Sequence, residues 1–509
     1  METSFNLTTA ISYVNGPPHI GHVLEFVIAD VISRYNKVKG NKVHFLTGTD
    51  EHGQKIQDKA TQEGLTPIEL CDKNSQLFTN INQKMGIDYN NFIRTTDPEH
   101  KQKVYEFYER CKKNDDIYLG EYEGWYNPRE EKFVSPNEAK LNHYKDPTSG
   151  NDLVQVKEPS YFFRLSKYKN ILLIFLEHNP NFIYPPSKQT ELLDRLKDIE
   201  LEDLSISRTT IDWGIPVPDD PSHVFYVWFD ALINYISGGP WPVDVHIIGK
   251  DILWFHTVIW LSMLVSADYI PPKHIYVHDF VNDKEGRKMS KSIGNVVDPN
   301  YLVEKYPLSA IRYYLISNLN YGSDTNFNEE ELVRSHDNEL LEIYGNFVNR
   351  VLGLVHKYCN SRIMYYCVDG SDIFDLNIVI NELDSLMTEY KLQEYTRKVM
   401  DIVRIMNTYV NTTHIWTIGK AKDDLRTNMD REEIITKLLE GVYIVTHFLY
   451  PIIPDVCDQV FGYLGTDKVN LDELRWTNLE PQILTKQRTL LFEIIDKDAY
   501  ENRKKKNSK

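Results

Sequence analysis

Hydrophobic and polar positions follow two textures along this chain. In the first half, short apolar runs end at glycine or polar residues: 43-VHFLTG-48, 245-VHIIGK-250 and 274-HIYVHDF-280. Runs of this length suit parallel strands buried on both faces. Helical patterns lie between them, as in 251-DILWFHTVIWLSML-264, with Asp251 as its N-terminal residue. This alternation predicts an α/β core. From about residue 115 to 215 it is lost: 126-YNPREEKFVSPNEAKLNHYKDPTSGND-152 is rich in Tyr, Pro, Asn and charge, and reads as an insertion between two halves of that core. From about 329 the period becomes helical. Leu340, Leu341, Tyr344, Phe347, Val348, Val351, Leu352 and Val355 recur at i+3/i+4 between 337 and 358. Similar periods run through Val399–Val410 and Ile434–Leu449, until Pro451 and Pro454 break the last strong helix. A helical bundle therefore follows the α/β core.

Composition narrows the class. A chain of 509 residues with 41% hydrophobic and 26% charged residues has enough core for more than one domain. A net charge of −17 argues against non-specific coating of nucleic acid, but local field rather than net charge decides binding at a patch. The basic tail 503-RKKKNSK-509 reads as a solvated terminus. Cys71, Cys111, Cys359, Cys367 and Cys457 form no C-x-x-C pair and are odd in number, so they read as reduced thiols rather than a disulfide framework or zinc site. No secretory signal opens the sequence, and its most apolar stretches fall short of the ~18 residues of a membrane span. The expectation is a soluble cytoplasmic protein with no membrane partner.

The candidate chemistry starts at 15-NGPPHIGH-22. After the apolar-leaning 8-TTAISYV-14 it reads as strand, tight turn and helix start. Gly21 lets a ligand approach the backbone, and a helix N-terminus offers free N–H groups to phosphate. His19 and His22 could donate to phosphates as charge builds. An isolated H-x-G-H is more simply a pair of turn residues. A second signal changes the balance: 287-RKMSKSIGN-295 carries two lysines three apart with two serines, in a loop after an apolar strand. Such a loop suits the electrostatics of phosphoryl or nucleotidyl transfer.

The two motifs together resemble the signature of the class I aminoacyl-tRNA synthetases, and the wording around them resembles the methionyl branch. The resemblance runs along nearly the whole chain, through 10-AISYVNGPPHIGH-22, 46-LTGTDEHGQKI-56, 122-YEGWY-126, 159-PSYFFRLSKY-168, 204-LSISR-208, 224-VFYVWFDALINYI-236, 249-GKDILWFH-256, 310-AIRYYLI-316, 321-YGSDTNF-327 and 345-GNFVNR-350. It implies a Rossmann-type catalytic domain in two halves (1–114 and 216–270) split by a connective insertion (115–215). A stem-contact segment with the lysine loop (271–328) and an all-α anticodon-binding domain (329–509) follow. The implied reaction joins methionine to ATP, with magnesium accompanying the ATP, releases pyrophosphate, and passes the methionyl group to the terminal adenosine of methionine tRNA.

By resemblance, His19, Gly21 and His22 hold the ATP phosphates with Lys288, Met289, Ser290, Lys291 and Ser292. Lys291 meets the departing pyrophosphate and Lys288 assists. Methionine recognition carries over onto Ala10, Ile11, Tyr13, Trp228, Leu232, Tyr235, Ile252 and His256. Aromatic faces and a Tyr or His donor suit an uncharged thioether, although ordinary core is the plainer reading of Trp228 and Tyr235. Leu232 stands where many members carry proline. Asp50 is implied to anchor the amino group or pocket network, with Arg208 as its basic partner.

The insertion departs from the family. Many members bind zinc there through paired cysteines, but residues 125–159 contain none, and Asn127 follows GWY where cysteine is common. One histidine, His143, cannot make a tetrahedral site, so no structural zinc is expected. The insertion is also too small for the editing domain of the leucine, isoleucine and valine enzymes. In the helical region, Asn346 and Arg350 lie four apart and point away from the stripe of Tyr344, Val348, Val351 and Val355. By resemblance they read the anticodon, and Trp416 stacks on one of its bases. No further C-terminal domain is evident, so a monomer is expected. Alternatives are a class I synthetase of other specificity, a silent tRNA-binding paralogue, and a small-molecule nucleotidylyltransferase. The last leaves the helical region without a role.

Overall fold

The inner strands of the parallel sheet form because their β-branched and apolar runs can be buried on both faces. The computed structural model describes residues 3–128, 132–134, 136–147, 150–289, 293–362, 368–417, 425–480 and 490–496. In chain order the strands that matter here are β1 (Ser4–Thr9), β2 (Ser12–Tyr13), β3 (Lys42–Asp50), β4 (Asn91–Arg94), β5 (Ile117–Asn127), β6 (Lys132–Val134), β7 (Val154–Phe163), β8 (Ile183–Tyr184), β9 (Leu204–Ser205), β10 (Ser207–Arg208), β11 (Pro216–Val217), β12 (Asp220–Phe225), β13 (Val245–Gly249) and β14 (His274–His278). The main sheet runs β2-β3-β1-β13-β14-β8, with β4 also on β3. Its β1–β13, β13–β14, β14–β8, β2–β3 and β3–β4 ladders are parallel. Every residue of β13 is buried, as expected of a strand covered on both faces. Gly48 has a steric reason: a Cβ there would lie 2.0 Å from the Ile93 carbonyl, so only glycine lets β3 and β4 meet.

The chain divides into two compact units. One comprises Phe5–Ala29 and His44–His278 and contains most of the parallel sheet. Helices α1 (Ile20–Val38), α2 (Gln54–Glu63), α3 (Pro67–Lys84) and α4 (Pro98–Lys113) follow the early strands. Thr66 caps α3 through a reciprocal capping box with Glu69. Within the stretch read as an insertion, β6-β5-β7-β9 make an antiparallel sheet, whereas β8 returns to the edge of the parallel one. The expected helix over 251–264 is present but changes its hydrogen-bond step along its length: Lys250–Ile252 is a 3₁₀ turn, Phe255–Ile259 is π-helical, and Trp260–Ser266 is α-helical. Gly249 rather than Asp251 precedes it, with no side-chain cap.

The second unit comprises Met1–Ser4, Asp30–Val43 and Asp279–Lys509. Its helices include Leu308–Ser317, Leu376–Thr388, Leu392–Thr412, Leu425–Leu449 and Pro454–Leu464. The helix expected over 337–358 exists, but His336–Gly345 is π-helical and only Asn346–Tyr358 is α-helical. Its stripe is core as expected, with Tyr344, Val348, Val351 and Val355 all buried. Burying each such side chain contributes ~1.5–3 kcal/mol. Arg312 is fully buried and survives as a charge because Asp30 accepts from its Nη2 at 2.5 Å and the Ile452 carbonyl from its Nε at 2.8 Å.

Candidate active site

The NGPPHIGH segment is the expected strand–turn–helix. It leaves β2, turns, and enters α1 at Ile20, while Asn74 of α3 holds the turn by donating to the Val14 carbonyl at 2.7 Å. The His19 and His22 rings stack with centroids 3.8 Å apart. His22 Nδ1 accepts the His19 N–H at 3.2 Å, and His19 Nδ1 accepts the Gly21 N–H at 3.1 Å. A ring in its neutral form therefore carries its proton on Nε2, free to donate elsewhere. Burial, and then the nearby charges of His19 and His278, hold His22 well below its ordinary value. A Cβ on Gly21 would come within 3.0 Å of the His19 ring, so the glycine makes room for the stack. One turn along α1, Glu25 lies 2.9 Å from His278 Nε2. Burial raises its carboxyl against the pull of that histidine. Sequence reading missed this pair because its members stand 253 residues apart.

The structure brings most of the residues carried over for methionine into one region. Trp228, on the helix Val227–Leu232, stacks on Phe255 at 3.8 Å and lies edge-on to His256. Leu232 and Tyr235 are buried, and Ala10 and Ile252 pack against the same core. The Tyr235 hydroxyl and His256 Nε2 are 2.7 Å apart, while His256 Nδ1 is 3.0 Å from the Ile252 carbonyl. A carbonyl only accepts, so His256 carries its proton on Nδ1 and Tyr235 donates to Nε2. Burial lowers His256 to about 4, and burial with the His256 charge lowers His246 further down the same wall. Two imidazoles thus stay neutral, leaving an uncharged lining. Tyr13 donates to the His52 carbonyl at 2.8 Å, and its strand pairs with the end of β3, where Asp50 is buried. Ile11 is half-buried beside Ala10. Arg208 is buried, donates to Ser205 Oγ and the Ser207 carbonyl, lies 3.9 Å from Glu158, and faces the Tyr226 ring.

Of the second motif, Ser290, Lys291 and Ser292 lie outside the described residues. Lys288 is exposed with its Nζ 5.0 Å from the Phe280 ring, and Met289 is half-buried. Both stems of the loop converge on Asp283, a residue the motif did not reveal. Asp283 accepts from the Arg287 backbone and Nε, and from Asn295 Nδ2 at 2.8 Å. These bonds hold its carboxyl far below the usual range, the Asn295 contact most of all. In the helical unit Asn346 is exposed and donates to the Glu342 carbonyl, Arg350 donates to Asn411, and Trp416 is 41% exposed. Trp416 is thus surface, not core. In the insertion, Asn127 is buried, and Val134, Ala139 and Leu153 cluster beneath Trp125. Among the described residues no group of three or more His, Cys, Asp or Glu could hold a metal. Nor is any described helix long and apolar enough to cross a membrane.

A family model described as tRNA synthetases class I (M) matches residues 5–145 and 140–352. The methionine–tRNA ligase of Thermotoga maritima is 38% identical over 97% of this chain and 80% of its own length. The chain belongs to the methionyl class I tRNA synthetases. Another member, from Listeria innocua, is 37% identical over 98% of the chain and 79% of its own. The Mycobacterium tuberculosis methionyl-tRNA synthetase solved with methionyl-adenylate superposes with a TM-score of 0.90 at 32% identity, covering 96% of this chain and 99% of that one. The free form of that enzyme gives 0.84. Membership of this family accounts for the parallel sheet and for the helical region that follows it along the chain.

Proposed function

We infer that this chain activates methionine with ATP, giving methionyl-adenylate and pyrophosphate, and transfers the methionyl group to the 3′ terminal adenosine of methionine tRNA. The reading is carried by one coincidence within a single unit. A stacked pair of imidazoles at a helix N-terminus occurs with a lining of aromatic, uncharged side chains. Relatives bear the name of this reaction, and a solved neighbour holds the adenylate.

The chemistry follows from the residues. As the methionine carboxylate attacks the α-phosphorus, charge moves onto the leaving pyrophosphate. His19 and His22 present fixed Nε2–H donors to those phosphates, with Gly21 leaving them room, and donors set in advance need no reorganisation as charge develops. His22, held well below its ordinary value by burial, gains proton affinity as negative charge arrives. Lys291, assisted by Lys288 and flanked by Met289, Ser290 and Ser292, meets pyrophosphate mainly in the transition state, where a contact raises rate rather than affinity. Magnesium enters as part of the MgATP substrate. Asp50 anchors the methionine ammonium with Arg208 in support. Ala10, Ile11, Tyr13, Trp228, Leu232, Tyr235, Ile252 and His256 enclose the side chain, where neutral imidazoles and aromatic rings favour a thioether over charged competitors.

Asn346, Arg350 and Trp416 read the anticodon by hydrogen bonding and stacking. Residues 1–114 and 216–270 form the catalytic halves, 115–215 the connective insertion, 271–328 the stem-contact segment and 329–509 the anticodon-binding domain, with β8 from the insertion and β14 from the stem-contact segment completing the parallel sheet. The cluster of Val134, Ala139 and Leu153 supplies the cohesion that zinc gives elsewhere, and the enzyme works as a cytoplasmic monomer without structural zinc. The test is charging of a methionine tRNA transcript with labelled methionine, alongside elemental analysis of chelator-washed protein. Methionine ester on the transcript with well under one zinc per chain is expected. No ester would overturn the function, and stoichiometric zinc would overturn the account of the insertion.

A further inference from the structure

Behind the proposed methionine pocket lies a buried carboxylate whose two oxygens are both taken by histidines. Asp230 Oδ2 accepts from His52 Nδ1 at 2.6 Å, and Oδ1 accepts from His100 Nε2 at 2.7 Å. All three side chains are almost fully buried. His100 Nδ1 lies 2.8 Å from Ser237 Oγ, so the serine donates to it when Nε2 carries the proton. Burial opposes ionisation of Asp230, but the charge of His52 and the hydrogen bonds from His100 and His52 bring its carboxyl down to about 2.

The placement is what gives this triad a meaning. On the helix Val227–Leu232, Trp228 and Leu232 are four apart and share a face, whereas Asp230 is ~200° round from Trp228. The carboxylate therefore grips the back of the helix whose front carries two proposed methionine contacts. His52 closes the strand-end segment that follows Asp50, and its own carbonyl accepts the Tyr13 hydroxyl. His100, from α4, holds the chain on both sides of Tyr235, at Asp230 and at Ser237. Three segments distant in sequence thus meet at one anion: two of them carry residues of the pocket, and the third, α4, holds the chain around Tyr235.

We propose that Asp230 is a positioning residue for methionine activation, its contacts with His52 and His100 setting the distance between the Trp228–Leu232 wall and the Asp50–Tyr13 wall. The proposal rests on the reading of this site as the methionine pocket. A fully satisfied buried ion network holds one geometry, because losing a partner leaves a charge uncompensated. Reacting groups displaced by about 1 Å lose up to about 100-fold in efficiency.

The test uses the full chain with Asp230→Asn and, separately, His100→Gln. Methionine-dependent ATP–pyrophosphate exchange is measured while methionine and ATP are varied, and melting is recorded on the same preparations. In Asp230→Asn the KM for methionine should rise roughly 10- to 100-fold, with the KM for ATP within about twofold and kcat within about fivefold. His100→Gln should move methionine KM in the same direction by at least about threefold. A wild-type methionine KM in either folded variant overturns the proposal. So does a parallel loss of all three parameters, or failure of both variants to fold, either of which makes the triad a general structural element. Absence of methionine-dependent exchange in the wild-type chain would instead sink the proposed function.

Discussion

Tyr235→Phe removes one oxygen from the proposed pocket and probes whether its tautomer logic is right. That oxygen donates to His256 Nε2 at 2.7 Å, while the opposite ring nitrogen is committed to the Ile252 carbonyl. Without the hydroxyl, Nε2 is a buried acceptor with no donor, and the ring cannot recover by protonation because burial holds it at about 4. A thioether sulfur accepts but does not donate, so bound methionine cannot replace the lost bond. Leaving a buried polar atom unsatisfied costs ~1–3 kcal/mol. Tyr235 and His256 form part of the lining, so the cost appears as freedom of both rings and weaker methionine binding. At about 1.4 kcal/mol per decade, methionine Kd should rise roughly 5- to 150-fold. Titration calorimetry with methionine measures this directly. Pyrophosphate exchange at saturating methionine should keep the KM for ATP within about twofold. Unchanged methionine affinity in a folded Phe variant would mean that Tyr235 does not face the amino acid, and the pocket assignment would fail.

Other outcomes follow from the same geometry. Trp416→Ala should lower kcat/KM for tRNA by roughly 5- to 150-fold, from ~1–3 kcal/mol of base stacking. Exchange and melting should stay as in wild type, because the ring is surface; a melting drop with both activities falling together would make Trp416 structural. Asp283→Ala unties the two stems of the lysine loop and should reduce kcat for exchange by roughly 10- to 100-fold. Calorimetric methionine affinity should be unaffected, and a wild-type kcat would refute the brace. In the helical unit, burial pushes the Glu440 carboxyl up to about 8 against the hydrogen bonds it accepts from Leu479 and Asn478. Between its unfolded value near 4.5 and about 8 the folded state holds the extra proton, so stability falls as pH rises. The stability of wild type relative to Glu440→Gln should therefore decline from pH 5 to 8 and level off above. Urea unfolding at several pH values checks this, and a flat difference refutes it.

Much of this molecule could be read along the chain because its signals are local. The glycine-bounded apolar runs became β3, β13 and β14, and the stripe Tyr344–Val348–Val351–Val355 became core. The turn at His19–His22 formed where two prolines, a glycine and a helix start predict one. The hidden parts depend on distance or on small shifts in pairing. β8 has two residues, too few to carry a periodic signal, and it joins the sheet through a parallel partner ninety residues away. The π-helical stretches at Phe255–Ile259 and His336–Gly345 change the hydrogen-bond step without changing which residue types are apolar. Asp230, Asp283 and the Glu25–His278 pair act through partners that only folding brings near. The tautomers of His19, His22 and His256 are set by backbone groups, on which side-chain pattern is silent.

Selective activation of methionine is read out by amino-acid-dependent ATP–pyrophosphate exchange. The purified chain is assayed with each standard amino acid in turn, at equal concentration, with MgATP and labelled pyrophosphate. Exchange with methionine should exceed that with any charged or polar amino acid by at least about 100-fold, since a neutral lining leaves such groups unpaired, and should exceed that with leucine, isoleucine or valine by about 10-fold or more. Preferred exchange with another amino acid would contradict the pocket. No exchange with any would contradict catalysis itself and leave a chain that binds tRNA without activating an amino acid.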